Sequence, residues 1–284
     1  MKYKNSLLTA ERNIEIIEAG EITAEKYPVL HSLLYDKRSS RREHLLDLYG
    51  FMMYHEPVTI FGRLYWWELS QSQRKKEGFT GGIATWQSQL MFFYLCGILE
   101  RVKPNKKTAD RYMREKYLYY REQKQQPPIF YAPLLLTAQR LKNAEMIAAD
   151  FLSRGFSPSR VTKKLVIRYR GQRIANGIYQ DGRGIKDWEK AAEKRVVSSL
   201  KKQIAQNGYA RKDSVPTMKT IINDVGERVE VPDHSIRKAL LDFKRICIDN
   251  ALSYHRATAA EIKKFGLRQG QWIATPAEKG QEYV

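Results

Sequence analysis

Three prolines within eleven residues limit the folds open to this chain more than any other feature. Residues 123–133 are QKQQPPIFYAP, and Pro127, Pro128 and Pro133 each interrupt a helix, because proline lacks a backbone N–H and clashes with the preceding turn. The stretch is also rich in glutamine, and such a composition is typical of a linker. We therefore expect a domain boundary here, with separate folded parts before and after it.

Charge predicts the kind of partner. The 284 residues carry a net charge of +19, and residues 151–220 alone contain 17 Lys and Arg against 5 Asp and Glu. Such a surplus favours polyanionic partners, nucleic acid above all. The longest apolar run, residues 90–99, has ten residues, whereas a membrane span needs about 20. The first residues also lack the apolar stretch of a signal peptide. We expect no membrane association and a cytoplasmic protein.

Apolar residues at helical spacing predict a mostly α-helical protein. In the first half we expect helices near 40–57, 58–76 and 85–99, and in the second half near 187–208, 217–225 and 234–252. The stretches SYHRAT and QWIATP have strand character and flank a short helix, AAEIKKFG. The expected parts are an N-terminal helical segment, a three-helix domain, a linking helix with the Pro/Gln linker, a basic helical pair and a C-terminal domain: 1–35, 36–107, 108–134, 135–186 and 187–284.

The order helix–helix–helix–strand–turn–strand is expected twice, and two short stretches carry a family resemblance. LCGILERVKP (95–104) resembles the end of the recognition helix and the first wing strand of winged helix-turn-helix domains, and DHSIRKALLDF (233–243) resembles their third helix. The resemblance implies two winged helix-turn-helix domains with small β-wings, joined by a basic helical middle segment. Two such domains in one basic chain look like the replication initiators and replisome organisers of plasmids and phages, which bind origin DNA.

The helix expected at 234–252 has a basic flank. Ile236, Leu240, Phe243 and Cys247 follow helical spacing and predict a buried seam. Beside this seam lie cations seven residues apart, Arg237 with Lys244 and Lys238 with Arg245, while Leu241 and Ile248 intrude on the same face. In winged helices the first turn of the recognition helix contacts bases. The resemblance therefore assigns DNA contacts to His234, Ser235, Arg237, Lys238, Lys244 and Arg245; an ordinary solvated face is the alternative.

Two further basic stretches are candidate phosphate contacts. The winged-helix resemblance assigns the turn after the helix at 85–99 to phosphates, through Arg101, Lys103, Lys106 and Lys107. A second basic helix, expected at 158–179 with Ser157 as its cap, has a predicted buried stripe: Val161, Leu165, Tyr169, Ile174 and Ile178. Its cations could cross a DNA backbone or grip RNA, and we assign this contact to Arg160, Lys163, Lys164 and Arg168.

The stretch GERVEVPD (226–233) departs from the family pattern. Winged helices usually have a few residues between the second and third helices, and here about eight are inserted. Val229 and Val231 alternate with charges, which is compatible with a small strand as well as with a loop. A strand would let the third helix take the usual angle to the second.

Motifs of catalysis are missing. The five histidines are scattered, no HxH, HExxH or CxxC occurs, and there is no phosphate-binding GxxxxGK[ST] loop. His234 and Arg237 match the short HxxR element of tyrosine recombinases, but the companion motifs of that family are not visible. Cys96 and Cys247 lie among apolar residues, and we expect buried thiols. We expect no enzyme, no metal and no cofactor.

These observations favour a non-catalytic protein that binds double-stranded DNA, at the replication origin of a mobile element. A transcriptional regulator with the same binding chemistry is one alternative. A mobile-element factor that binds RNA or a ribonucleoprotein and blocks host machinery is another. The sequence leaves open whether the protein forms a homodimer.

Overall fold

The structure, a computed structural model, describes most of the chain. The described residues form eleven α-helices, two 3-10 turns, one four-stranded sheet and two two-stranded sheets, so the fold is mostly α-helical with small antiparallel sheets. They divide into two compact units: unit 1, residues 1–150 and 157–182, and unit 2, residues 151–156 and 183–284. The described residues are 2–37, 39–55, 58–60, 63–67, 76, 78, 82–102, 118–119, 122–123, 130–179, 184–216, 220–222, 228–230 and 233–277.

Unit 1 begins with three helices, α1 (Lys2–Glu18), α2 (Pro28–Tyr35) and α3 (Arg41–Tyr54). Proline at the first position of α2 is favourable, because its missing N–H would have no helical partner there. Helix α1 packs on α3. Apolar side chains of the first two helices, such as Ile17 and Leu30, lie in the core.

The second helix expected in this part of the chain, at 58–76, is wrong at residues 58–60 and 63–67. Strand β1 (Val58–Ile60) and strand β2 (Arg63–Trp67) form an antiparallel hairpin instead, with Val58 opposite Tyr65. Three β-branched residues form β1, and aromatic residues dominate β2. Both classes favour strands, because their χ1 freedom is less restricted in a pleated sheet than in a helix.

The stretch expected to be a linker contributes a central strand. Strand β4 (Phe130–Pro133) is fully buried and lies between β2 and β3 (Leu99–Val102), in the order β1-β2-β4-β3. The linker prediction is therefore wrong for these four residues, whereas Pro127 and Pro128 lie outside the described residues. Pro133 pairs with Leu99 at the very end of the strand, so its missing N–H interrupts no hydrogen bond in the middle of the sheet.

Helix α4 (Ile83–Leu95) forms near the predicted third helix and supplies much of the core of unit 1. The side chains of Trp86, Leu90, Phe92 and Phe93 are all at most 1% exposed. Most of this helix is therefore packed inside unit 1, with Thr85 and Gln87 exposed. The strand predicted after it is present as β3, which pairs with β4.

The basic helix expected at 158–179 is divided. Pro158–Arg160 form a 3-10 turn, and the α-helix starts only at α6 (Lys163–Arg170), where the Thr162 hydroxyl caps it by accepting from the Leu165 N–H at 3.3 Å. Gly171, with φ +87°, ends α6 and α7 (Gln172–Tyr179) follows. Ser157 is therefore not the cap of this helix.

The break at Gly171 also changes the buried stripe of this segment. Leu165, Tyr169 and Ile178 are buried as predicted, and Val161 is buried just before α6. Ile174 is 48% exposed, which contradicts the prediction. An uninterrupted helical repeat no longer applies across a glycine with positive φ, so α7 turns a different face to the core.

Unit 2 is built around α8 (Asp187–Asn207), which ends as predicted at Gly208 in the left-handed conformation, φ +79°. The chain reaching this unit from α5 (Ala138–Ser153) turns at Gly155. A two-stranded sheet follows α8, formed by β5 (Thr220–Ile222) and β6 (Arg228–Glu230).

This second hairpin settles two expectations. The helix predicted at 217–225 is wrong at residues 220–222, which form β5. The stretch GERVEVPD, left open between strand and loop, forms a strand at residues 228–230. The remaining residues of both predictions lie outside the described residues, apart from Asp233, which starts the next helix.

The predicted third helix is present but interrupted. Helix α9 (Asp233–Leu241) is separated at Asp242 from α10 (Phe243–Asp249), because the Asp242 N–H donates to the Ala239 carbonyl at 2.9 Å, one residue short of the α-helical spacing. Two strands, β7 (Leu252–Arg256) and β8 (Trp272–Pro276), then form an antiparallel hairpin that encloses α11 (Ala259–Phe265). Both strands and α11 were predicted.

The seam predicted on the third helix is the core of unit 2. Ile236, Phe243 and Cys247 are at most 2% exposed, and Leu240 packs against them with part of its surface in solvent. Burial raises the pKa of the Cys247 thiol to about 12. Cys96 is equally buried in unit 1, so both cysteines are buried free thiols as predicted.

Candidate nucleic-acid interface

Helix α9 has one face in the core of unit 2 and one in solvent. Ile236 and Ala239 are buried, whereas His234, Arg237 and Lys238 are exposed. The edge of the His234 ring lies near Trp188 of α8, with ring centroids 6.1 Å apart. Over its length α9 therefore presents an imidazole and two cations on its outer face.

Ser235 does not belong to this outer face. Its side chain is 2% exposed, and within the described residues its hydroxyl has no hydrogen-bond partner. Ser235 precedes the buried Ile236 and lies on the edge of the helix that packs inward. The prediction that Ser235 contacts DNA is therefore wrong.

Arg245 is also buried, although its neighbour Lys244 is exposed. The Arg245 guanidinium bonds Glu193 of α8 at 2.8 Å and Asp249 at 2.6 Å, and it is 4% exposed. The turn at Gly155 packs on the backbone of α10 at this point, since a Cβ on Gly155 would lie 2.7 Å from the backbone nitrogen of Arg245. Arg245 thus ties α10 to α8, and its prediction as a DNA contact is wrong.

A groove of about 760 Å³ opens between α9 and the β7–β8 hairpin. We call it the hairpin groove, and its lining combines cations, amides and aromatic rings. The lining residues are Arg211, Lys212, Asp213, Leu240, Tyr254, Arg268, Gln269, Gly270, Gln271 and Trp272. Leu240 connects the groove to the helix that carries Arg237 and Lys238.

Two aromatic rings form one wall of the hairpin groove. Tyr254 of β7 and Trp272 of β8 have ring centroids 5.0 Å apart, and the Tyr254 ring packs edge-on against the buried Phe243 at 4.9 Å. Trp272 is 45% exposed, an unusual position for so large an apolar side chain. The Arg256 guanidinium lies 5.8 Å from the centre of the Trp272 ring.

Cations surround these rings. Arg211, Lys212 and Arg268 line the groove, and among its lining residues Asp213 is the single acid. The Arg211 Nε donates to Asp213 at 3.0 Å, and hydrogen bonds from this guanidinium lower the pKa of Asp213. One cation is thus neutralised and two remain, which makes the groove basic.

Strand character at residues 271–276 predicts a strand and not a groove, so this site did not follow from the sequence pattern. One signal was present: RQGQW places a cation, two amides and an aromatic residue around Gly270, whose φ is +78°. The Arg268 N–H donates to the Gln271 side chain at 3.1 Å and helps close this turn. Tyr254 and Trp272 come together only because β7 and β8 pair.

A polar relay ties β7 to α11. The Ser253 hydroxyl lies 3.0 Å from His255 Nδ1, and His255 Nε2 lies 2.9 Å from Glu261. The same carboxylate accepts from the Thr258 N–H at 2.8 Å and from its hydroxyl at 2.8 Å. Hydroxyl, imidazole and carboxylate stand in the order of a hydrolase triad, but here the carboxylate also closes the first turn of α11, and we interpret the relay as structural.

Of the predicted wing cations of the first half, the structure describes Arg101. Its Nη1 donates to the Ile178 carbonyl at 2.8 Å, and its guanidinium lies 5.8 Å from the centre of the Tyr179 ring. Arg101 therefore connects β3 to the end of α7 within unit 1. Lys103, Lys106 and Lys107 lie outside the described residues.

The predicted cations of the second basic helix belong to unit 1. Arg160 is exposed, while Lys163, Lys164 and Arg168 are half-buried. All four have partners in the structure. They form a set distinct from the α9 residues, which belong to unit 2.

Within the described residues, no helix is long and apolar enough to span a membrane, and no group of three or more His, Cys, Asp or Glu side chains is placed to hold a metal ion.

Comparisons with known proteins assign no family to this chain. No protein family, curated protein or solved structure matches it.

Proposed function

We propose that unit 2 binds double-stranded DNA without catalysis, with the outer face of α9 in the major groove and Lys244 of α10 on the flanking backbone. The observation that carries this proposal is the exposed cluster of His234, Arg237 and Lys238 on a helix whose opposite face is anchored in the core. A helix held in this way can present side chains to base edges.

The order of elements around α9 supports the proposal. A long helix, a helix with an outward basic face and a two-stranded hairpin follow one another, and Ala210 adds a bridge to Ala274 of β8 with both N–O distances at 2.8 Å. Such an order resembles a winged helix in which the β5–β6 hairpin occupies part of the place of the second helix. We propose this variant for unit 2 alone, because the corresponding helix of unit 1 is buried.

Charge supports a phosphate-rich partner. Lys244 on α10 is exposed and follows the basic face of α9 along the chain, and the chain carries a net charge of +19. Lys and Arg beside a recognition helix neutralise phosphates and set its register on the duplex. Following the sequence resemblance, we propose the replication origin of a mobile element as the target, with transcriptional regulation as the alternative use of the same contacts.

The test is selection from a pool of random duplex DNA, followed by sequencing of the retained molecules. We expect an enriched motif, and repeated copies of it would favour an origin. The double variant Arg237→Ala/Lys238→Ala should lose at least tenfold in affinity for that motif, because a base contact by arginine contributes about 1–3 kcal/mol.

A matched control removes two adjacent exposed cations elsewhere in unit 2. Lys201→Ala/Lys202→Ala on α8 lowers the net charge equally and should leave the enriched motif and its affinity nearly unchanged. Equal losses in both double variants would show that only total charge matters, and would contradict the assignment of α9. Failure to enrich any duplex, together with tight capture of RNA, would contradict duplex recognition itself.

A further inference from the structure

We infer that the hairpin groove binds single-stranded DNA, with an unpaired base stacked on Trp272. The inference rests on the proposed function, since it takes nucleic acid as the partner of unit 2. It adds a second binding mode to the duplex contact of α9 and assigns it to different residues.

The exposed aromatic wall of the groove supports binding of an unpaired base. Trp272 keeps 45% of its surface in solvent although Tyr254 and Arg256 both contact it. Tyr254 packs against the core residue Phe243, so the pair of rings is held on a rigid base. A fixed, exposed indole is a stacking platform for a nucleobase, because every base has a π-face.

The polar side chains around that wall also suit a single strand. Lys212 and Arg268 supply positive charge for a phosphate backbone, and Gln269 and Gln271 place side-chain amides where base edges could bond. The groove volume of about 760 Å³ lies within the range of small-ligand sites. Proteins bind single-stranded nucleic acid with exposed aromatic rings that are bordered by cations.

The chemistry of this groove differs from that of the duplex contact. Bases inside a duplex stack on one another and offer only their edges, which suits the polar face of α9. An indole face needs a base that has left the stack. Leu240 of α9 also lines the groove, so the groove adjoins the helix that carries the proposed duplex contacts.

The experiment compares two fluorescent probes on the full chain, an oligothymidine of about 15 nucleotides and a blunt duplex. Anisotropy titration should show that the protein binds both. Trp272→Ala should weaken oligothymidine binding roughly 5- to 100-fold, the range expected for one stacked base, and change duplex binding less than twofold. Trp272→Phe, which keeps an aromatic face, should recover most of the loss.

Two controls protect this comparison from a folding artefact. Tyr54→Ala removes an aromatic residue of unit 1 that is 84% exposed and should change neither titration. Each variant is also melted, and if Trp272→Ala unfolds, Arg268→Ala carries the test, because it removes a groove cation in a surface turn. Arg268→Ala should weaken oligothymidine binding several-fold with little effect on the duplex.

The outcomes separate this inference from the proposed function. Duplex binding by the natural chain without oligothymidine binding would overturn the groove assignment and leave the duplex proposal intact. Oligothymidine binding without duplex binding would overturn the duplex proposal and leave the groove assignment intact. Equal losses of both activities in folded Trp272→Ala would also overturn the inference, as would tighter binding of oligouridine, which would reassign the groove to RNA.

Discussion

Lys244 and Arg245 are neighbours in the sequence with opposite roles. Lys244 is exposed, whereas the Arg245 guanidinium bonds Glu193 and Asp249 and is almost fully buried. Removing Arg245 would delete a buried side chain and leave Glu193 and Asp249, whose side chains are 23% and 51% exposed, without their cation, at a cost of about 2–3 kcal/mol. The same charge on the surface contributes little to stability.

Arg245→Ala should therefore lower the free energy of unfolding by about 3 kcal/mol, and Lys244→Ala by less than about 0.5 kcal/mol. Urea unfolding followed by circular dichroism measures both changes. Similar small losses in the two variants would show that Arg245 is not a structural ion-pair residue.

Exposure of single residues on α9 and α10 was only partly predictable. The apolar seam followed from helical spacing, and so did the outward position of Arg237 and Lys238. Burial of Arg245 depends on Glu193 and on the turn at Gly155, about 90 residues earlier in the chain. Periodicity within one helix contains no information about such a distant partner.

The capping box of α11 is the best-defined local element of unit 2. The Thr258 hydroxyl accepts from the Glu261 N–H at 3.3 Å, and the Glu261 carboxylate accepts from the Thr258 N–H. Partial burial raises the pKa of Glu261, but hydrogen bonds from Thr258 and His255 outweigh it and lower the pKa below its ordinary value of 4.5. The charged carboxylate is thus favoured in the folded state.

A carboxylate with a lowered pKa stabilises the fold at pH values above its ordinary pKa, and this contribution is lost as the pH falls through the lowered value. Glu261→Gln should therefore reduce the loss of stability between about pH 5 and pH 3, and Thr258→Ala should cost about 1 kcal/mol at neutral pH. Thermal melting across this pH range measures both effects.

The relay through His255 is tested with the same variants. A fluorophosphonate probe, which labels activated serines, should leave Ser253 unmodified in the natural chain. Labelling of Ser253 that disappears in Glu261→Gln would contradict the structural interpretation and indicate a nucleophile.

Parts of two predicted helices form strands instead, and the reason is the same for both. Residues 58–60 and 220–222 are each a run of three β-branched residues, Val-Thr-Ile and Thr-Ile-Ile, and each forms the first strand of a hairpin. Short apolar runs fit helical and strand periodicity equally well. Side-chain branching was therefore the better guide at these two places, and it was available in the sequence.

At the scale of the whole molecule, the net charge of +19 predicts strong sensitivity of DNA binding to salt. Each phosphate contacted by a cation contributes about −0.9 to the slope of log K against log salt concentration. A phosphate contact by Lys244 would contribute about −0.9 to this slope, whereas base contacts by Arg237 and Lys238 would contribute little to it.

We expect Lys244→Ala to make the slope shallower by about 1 unit on a duplex. Titrations at several potassium chloride concentrations measure it, with Lys201→Ala as the charge-matched control. A slope that changes equally in both variants would place the phosphate contacts outside α10.

The sequence by itself determined the helical class, the C-terminal order of α8, third helix and hairpin, and the buried seam of unit 2. These features depend on hydrophobic periodicity and on helix-terminating residues within short stretches, such as Gly208 after α8. A single sequence is therefore enough to predict them. The positive charge, and with it the expectation of a nucleic-acid partner, is likewise a property of composition.

Tertiary structure alone decided which polar residues reach solvent and which meet one another. Strand pairing brought Tyr254 and Trp272 together, a turn near residue 155 buried Arg245, and sheet formation placed Phe130–Pro133 in the core of unit 1. Each of these depends on contacts between residues far apart in the chain. No local sequence pattern predicts them, because the burial of a side chain depends on which other element of the fold packs against it.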